Sequence, residues 1–256
     1  MATDPTGSPK IAVAVPPLEA LRTGEVHVWY VDLAVETETQ RRLTAGLSED
    51  ERARAARFVF ARDCRRFVVA RSALRALLAE YLDVPAAALT FAYGPHGKPA
   101  LDGNQAALGF NLSHSGEVAV VAMGWERALG IDVEQWRPLP DLAALAARSF
   151  APRERAVLDA LPASEQPAAF FRCWTRKEAF IKATGEGLAH PLDAFTVSLA
   201  PGEPARFLDI DGDPAALARW TLHELRSPAG YSGALVVEGP ARAVSGHWWS
   251  AAGIRS

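Results

Sequence analysis

The chain has 256 residues, 49% hydrophobic and 22% charged, with a formal net charge of −3. That balance excludes a disordered segment and allows one sizeable core or two smaller ones. It also excludes any global attraction to nucleic acid or anionic lipid, so an anion site has to come from local arginine and lysine clusters. The two cysteines, Cys64 and Cys173, each sit in an apolar helical pattern. They predict buried spectators in a reduced, cytoplasmic protein rather than a disulfide scaffold. Met1 to Lys10 is polar and small, and no apolar run approaches the ~18–20 residues of a spanning helix, so neither export signal nor membrane anchor is expected.

Glu25 to Leu33 alternates as a first strand, and two helices are expected after it. Ser48 with Glu51 has the form of a capping box, opening an arginine-rich helix from Glu49 to about Phe60. From Asp63 to Leu82, the residues Phe67, Ala70, Leu74, Leu77, Leu78 and Tyr81 have the spacing of one buried helical face. Leu89 to Tyr93 reads as a short strand, and Gly94 to Pro99 as a glycine-bounded loop of the kind that wraps phosphates. Glu117 to Met123 and Ala128 to Glu134 predict a β-hairpin joined by Gly124 to Arg127, with Asp132 opposite Ala119 and Glu134 level with Glu117. Asp141 to Phe150, Pro152 to Leu161 and Gln166 to Thr184 read as helices, the last stopped by Gly185. Ala194 to Leu199, Trp220 to Leu225 and Tyr231 to Val237 read as strands, which makes the chain α+β.

Four local groupings carry chemistry. Strand periodicity puts Asp132 and Glu134 of Gly130-Ile-Asp-Val-Glu134 on one face. Two carboxylates this close resist joint ionisation unless a cation lies between them, and hard oxygen donors suit Mg²⁺ or Mn²⁺ rather than zinc. In isolation the pentapeptide reads more readily as a strand end with two exposed acids. Glu178 and Lys182 are four apart on the helix from Gln166, flanked by Phe171, Trp174 and Ile181, so both are expected to be partly desolvated. The bland alternative is a surface i,i+4 ion pair worth ~0.3–0.5 kcal/mol. Lys98, Asn111, Ser113 and His114 supply donors for phosphate oxygens near the predicted hairpin. Arg52, Arg54, Arg57, Arg62, Arg65 and Arg66 offer a phosphomonoester grip within what is mostly a solvated helix face.

In chain order, GKP at Gly97 to Pro99, FNLSHSG at Phe110 to Gly116, GIDVE at Gly130 to Glu134 and WTRKEAFIKATGEGL at Trp174 to Leu188 resemble the phosphopantetheinyl transferases of the surfactin-synthetase-activating (Sfp) type. FVFARD at Phe58 to Asp63 resembles the eukaryotic members, and the likeness spans about Phe58 to Phe195. The resemblance implies two similar α+β halves, residues 1–123 and 124–256, related by a pseudo-twofold with the active site between them. It implies a transfer of phosphopantetheine from coenzyme A to a serine of an acyl or peptidyl carrier protein, by a cytoplasmic monomer with no nucleic-acid or membrane partner. By the same resemblance Asp132, Glu134 and Glu178 hold Mg²⁺ (or Mn²⁺), Glu178 or a water beside it takes the serine proton, and Lys182 steadies the breaking pyrophosphate. His114 and Lys98 contact coenzyme A phosphates, Arg62 grips the nucleotide end with Arg54 and Arg66 as lesser candidates, and Tyr93, Gly97, Asn111 and Ser113 line the rest. One departure is Glu51, which stands where the bacterial prototype has a lysine.

Phosphoryl-type transfer needs charge neutralisation and a positioned base but no enzyme nucleophile when the acceptor brings its own hydroxyl, and nothing in that inventory is missing. A serine hydrolase built on Ser113, His114 and Asp132 is disfavoured, because neighbours on an extended chain point to opposite faces and no G-x-S-x-G elbow occurs. A metal-dependent coenzyme A or nucleotide pyrophosphatase and a non-catalytic binder of coenzyme A or carrier protein remain as rivals.

Overall fold

In the computed structural model, which describes residues 21–94, 97–101 and 107–251, the first alternating segment forms β1 (Glu25–Asp32). Met1 to Lys10, and Pro95 and His96 of the glycine-bounded loop, lie outside the described residues. Two short helices follow, α1 (Thr37–Ala45) and α2 (Glu49–Ala55), then the long α3 (Ala61–Leu82). Helix α1 buries only Leu43, so it carries no periodic signature in the sequence. Helix α2 opens as expected, with the Ser48 N–H donating to Glu51 Oε2 at 3.0 Å, but it stops at Ala55 and leaves Phe58, Val59 and Phe60 exposed. In α3 the predicted stripe is the buried face, with Phe67 at its margin.

A small ribbon, β2 (Phe91–Tyr93) and β3 (Pro99–Leu101), brackets the glycine loop. Strands β4 (Leu108–Ser115), β5 (Val118–Trp125) and β6 (Leu129–Gln135) come next. The expected hairpin between β5 and β6 is not formed. The hairpin is β4–β5, turning at Gly116 and pairing Ser115 with Val118, so the Asn111 to His114 segment is itself strand. After Trp125 the chain passes through Glu126 at φ 51° and crosses to another sheet, where β6 pairs with β10 (Tyr231–Glu238). Asp132 therefore lies opposite Ala234 and Glu134 opposite Ser232. Both β5 and the apolar face of β6 are buried. Val118, Val120 and Ala122 meet Leu129, Ile131 and Val133 through side chains across the two sheets rather than along one ladder.

Helices α4 (Leu142–Ser149), α5 (Pro152–Ala160) and α6 (Gln166–Thr184) follow, α6 ending at Gly185 in the left-handed conformation, φ 79°. Then come β7 (Phe195–Val197), β8 (Phe207–Ile210), α7 (Pro214–Arg219), β9 (Trp220–Glu224), β10 and β11 (Ala243–Trp249). The sheets have the orders β11-β1-β5-β4 and β6-β10-β9, with β7 and β8 paired separately. Each larger sheet carries one long helix, α3 on the first and α6 on the second, so the two α+β halves share a plan, each with its own apolar core. A third core lies between the sheets. Strand β11 lies in the second half by sequence but pairs in parallel with β1. Cys64 is half-buried and Cys173 buried, both as free thiols. Among the described residues no helix is long and apolar enough to cross a membrane.

A buried polar group pins β11 and α3 to β1. The Tyr81 hydroxyl meets His27 Nδ1 and accepts from Trp29 Nε1 at 3.0 Å, while His247 stacks on Trp29 with ring centroids 4.8 Å apart. Burial, with His247 nearby, pushes His27 down to about 4. An unfolded chain would bind this proton near 6.5, so the stabilisation is complete above that pH and is lost as pH falls through 6.5 towards 4. We expect denaturant midpoints to drop across this window by an amount equivalent to about 2–3 kcal/mol, and His27→Gln to flatten the drop. An unchanged pH profile in the variant would assign the loss to other groups.

Candidate active site

The face of β6 that carries Asp132 and Glu134 turns towards α6, as the alternation requires, and Gly130 explains how close the helix comes. A Cβ at Gly130 would collide with the Ala179 carbonyl oxygen and the Ala183 nitrogen, so only glycine lets α6 rest on the strand there. That contact sets the α6 turn bearing Glu178 and Lys182 directly over Asp132. Lys182 Nζ donates to Asp132 Oδ1 at 2.6 Å and to Ser113 Oγ at 3.0 Å, and Ser113 Oγ donates to the same Asp132 oxygen at 2.7 Å.

Strand β4 reaches this group from the first half by its odd-numbered side chains. Asn111 Oδ1 accepts the Ile131 N–H at 2.8 Å, Ser113 holds Asp132, and Ser115 Oγ donates to Glu134 Oε2 at 2.6 Å. The edges of the two sheets are thus joined at every second residue by side chains, a seam that the motif FNLSHSG did not disclose as such. Gly116 belongs to it too, since a Cβ on its left-handed backbone (φ 56°) would strike Gln135 and the Tyr231 hydroxyl.

Asp132 is buried, and its Oδ2 has no hydrogen-bond partner among the described residues. Burial pushes its carboxyl above the ordinary aspartate value, with Lys182 and Ser113 pulling it back. Glu178 is half-buried and is likewise raised, by burial first and then by Asp132 and Glu134, with Lys182 opposing. His114 lies exposed on the opposite face of β4 from Ser113, and partial desolvation, with Lys182 and Arg66 nearby, lowers its proton affinity. This separation of Ser113 from His114 is the one that disfavoured a serine hydrolase.

Gly97, Lys98, Asn111, Glu178 and Lys182 line one cleft of about 430 Å³ between the halves. Lys98 enters it with its ammonium already engaged, donating to Lys182 O at 2.6 Å and Leu129 O at 3.2 Å. It thereby caps a terminal carbonyl of α6 from the other half. A second cleft, of about 710 Å³, brings together Arg54, Arg57, Phe58 and Tyr93. Arg62 is not among the residues lining either cleft; its exposed guanidinium pairs with Asp63 at 3.3 Å. Arg66 is held by Glu117 at 2.8 Å. Glu51, the departure from the lysine pattern, is 2% exposed and binds Arg71 and Arg75, so it braces α2 against α3. Arg71 in turn donates to the Tyr93 hydroxyl at 2.7 Å.

Asp132, Glu134 and Glu178 are not gathered round one point. Among the described residues no three His, Cys, Asp or Glu side chains stand close enough to hold a metal ion. Lys182 occupies Asp132, while Ser115 and Arg137 (3.1 Å) turn Glu134 aside.

Residues 36–126 match the family described as 4'-phosphopantetheinyl transferase, N-terminal, and residues 128–236 match the 4'-phosphopantetheinyl transferase superfamily. The two matches meet where the chain crosses from β5 to β6. The 4'-phosphopantetheinyl transferase HetI of Nostoc sp. (strain PCC 7120) is 43% identical over 212 residues, covering 82% of this chain and 86% of that protein. Sfp of Bacillus subtilis (strain 168) is 31% identical over 170 residues, covering 66% and 74%. The human L-aminoadipate-semialdehyde dehydrogenase-phosphopantetheinyl transferase is 31% identical over 165 residues, covering 60% and 53%. With both halves matched in tandem and the motif residues meeting across the seam, this chain belongs to the 4'-phosphopantetheinyl transferases.

Proposed function

We propose that the enzyme moves 4'-phosphopantetheine from coenzyme A to the serine hydroxyl of an apo acyl or peptidyl carrier protein, releasing adenosine 3',5'-bisphosphate. The observation that carries this reading is the Asp132–Lys182–Ser113 group beside Glu178, in a cleft walled by both halves. Glu178, raised by burial and by two neighbouring carboxylates, is suited to accept the serine proton on its carboxylate oxygen. Lys182 exchanges Asp132 for the pyrophosphate oxygen on which charge develops as the P–O bond breaks. Tyr93 and Arg54 receive the nucleotide end in the second cleft, a role the geometry supports better for Arg54 than for Arg62.

The donor chemistry suits a magnesium ion, although the carboxylates would first have to turn from Lys182, Ser115 and Arg137, which now hold them apart. The buried Asp132 Oδ2 has no hydrogen-bond partner among the described residues, and Glu178 is repelled by Asp132 and Glu134 with only Lys182 opposing, both of which a hard cation relieves. Asp132, Glu134 and Glu178 would hold it, and it would supply neutralisation of pyrophosphate charge. The working form is read as a cytoplasmic monomer without nucleic-acid or membrane partners, in line with its balanced charge.

Intact-mass spectrometry of an apo carrier protein incubated with enzyme, coenzyme A and Mg²⁺ tests the reading. A gain of ~340 Da, abolished by chelation, is the expected result for transfer of the arm to a serine. Coenzyme A consumed without any gain on the carrier would make the protein a pyrophosphatase, and no consumption across several carriers would make it a binder. Lys182→Ala should lower kcat about 10²- to 10³-fold with little change in the KM for coenzyme A. A rise in KM alone would place Lys182 in ground-state binding.

A further inference from the structure

Beneath the cleft, on the side of α6 away from it, lies an ion pair that the transfer chemistry does not use. Lys177 and Glu154 are each 0% exposed in their side chains and stand 2.8 Å apart. Lys177 Nζ also donates to Leu192 O and Phe195 O, both at 2.6 Å, so all three ammonium protons are engaged. Glu154 accepts the Ala151 N–H at 2.8 Å and the Val197 N–H at 2.7 Å. Five directed bonds thus tie α6 to the start of α5, to β7 and to the segment before β7.

Withdrawing two charges from water costs several kcal/mol each, and apolar residues of similar volume often stabilise such a position as well or better. What an apolar pair does not supply is direction. Phe170, Phe171 and Phe180 give α6 apolar contact and Gly130 a smooth surface, while Arg176, donating to Ser198 Oγ at 2.9 Å and to Glu224 at 3.1 Å, and Arg172, donating to Leu199 O at 2.8 Å, add directed bonds. The ion pair differs from these in being buried on both partners, whereas Glu224 is 53% exposed, and in reaching α5, β7 and the segment before β7 at once. Residue 178 follows 177 by about 100° round the helix, so the anchor of one fixes the azimuth of the other. A rotation of about 10° moves a side-chain end ~6 Å from the axis by about 1 Å. A displacement of that size can cost on the order of 10² in rate.

We infer that Glu154 and Lys177 are positioning residues, whose buried ion pair sets the rotation of α6 and so places the Glu178 carboxylate in the cleft. The inference rests on the role given above to Glu178. The test is the Glu154→Leu/Lys177→Met double variant, which removes both charges at nearly constant volume. It should keep a Tm within a few degrees of the parent or above it, and lose about 10-fold or more in kcat while the KM for coenzyme A stays within about 2-fold. A well-folded double variant with kcat within about 2-fold of the parent overturns the inference. So does a loss of rate that merely tracks loss of folded protein. Should the double variant not fold, Glu154→Asp keeps the charge but shortens its reach by one methylene. A reduced kcat at unchanged KM is then expected, and an unchanged kcat counts against the inference. Glu178→Ala is measured in parallel: its activity, if retained, would remove the role of Glu178 itself, whereas an inactive Glu178→Ala beside a fully active double variant would sink only the positioning role.

Discussion

Asp132→Ala should fold with nearly the parent's stability and lose at least about 10² of its transfer rate, the scale for removing one preorganised electrostatic group. The two halves of that expectation have different origins. Asp132 is a buried carboxylate raised by desolvation, with one oxygen unpartnered among the described residues, so its charge contributes little to folding. Lys182, whose side chain is 29% exposed, can turn to water when its partner is gone. The rate suffers because the proposed metal loses its most enclosed ligand and the lysine loses its resting anchor. Thermal melts and single-turnover transfer at limiting and saturating magnesium check both parts. Full activity at limiting magnesium would remove Asp132 from the proposed metal site.

Gly130→Ala is expected to damage fold and function together. The added methyl would meet main-chain atoms of α6, at Ala179, Lys182 and Ala183, and a main chain cannot step aside as a side chain does. Helix α6 has to lift from β6 at a cost of about 1–3 kcal/mol or more, which for a chain of this length lowers Tm by roughly 2–12 °C. Lifting the helix also parts Glu178 and Lys182 from Asp132, with a further loss on the order of 10² in kcat. A variant that melts and turns over like the parent would show that the close contact at Gly130 is dispensable.

How much of this could be read from residues alone depended on whether the signal was local. Helix α6 was legible to its last residue, because Gly185 in the left-handed conformation ends it and its apolar stripe is continuous. The shared face of Asp132 and Glu134 was legible too, since alternation along a strand does not depend on which strand pairs with it. Pairing was not legible. Two largely buried strands, β5 and β6, joined by three residues present the same pattern whether they close a hairpin or pack across two sheets, and only tertiary contacts choose. Glu154 and Lys177 escaped notice for a related reason. Lys177 stands between Arg176 and Glu178, a charged run that reads as a solvated face, yet both Arg176 and Lys177 are buried. The unassembled carboxylates show the same limit from the other side, because the sequence names the donors while Lys182, Ser115 and Arg137 decide where they point.

The parallel pairing of β1 with β11 bears on how the protein is made. Glu25 finds its neighbour in Ala243 and Val31 in Trp249, so the first sheet cannot reach its full width while the ribosome is still working through the second half. Until then β1 presents an unpaired, apolar edge, the kind of surface that recruits foreign strands. The first sheet is therefore held short of its full width until β11, which follows every other described strand, has been made and closes over β1 as a clasp.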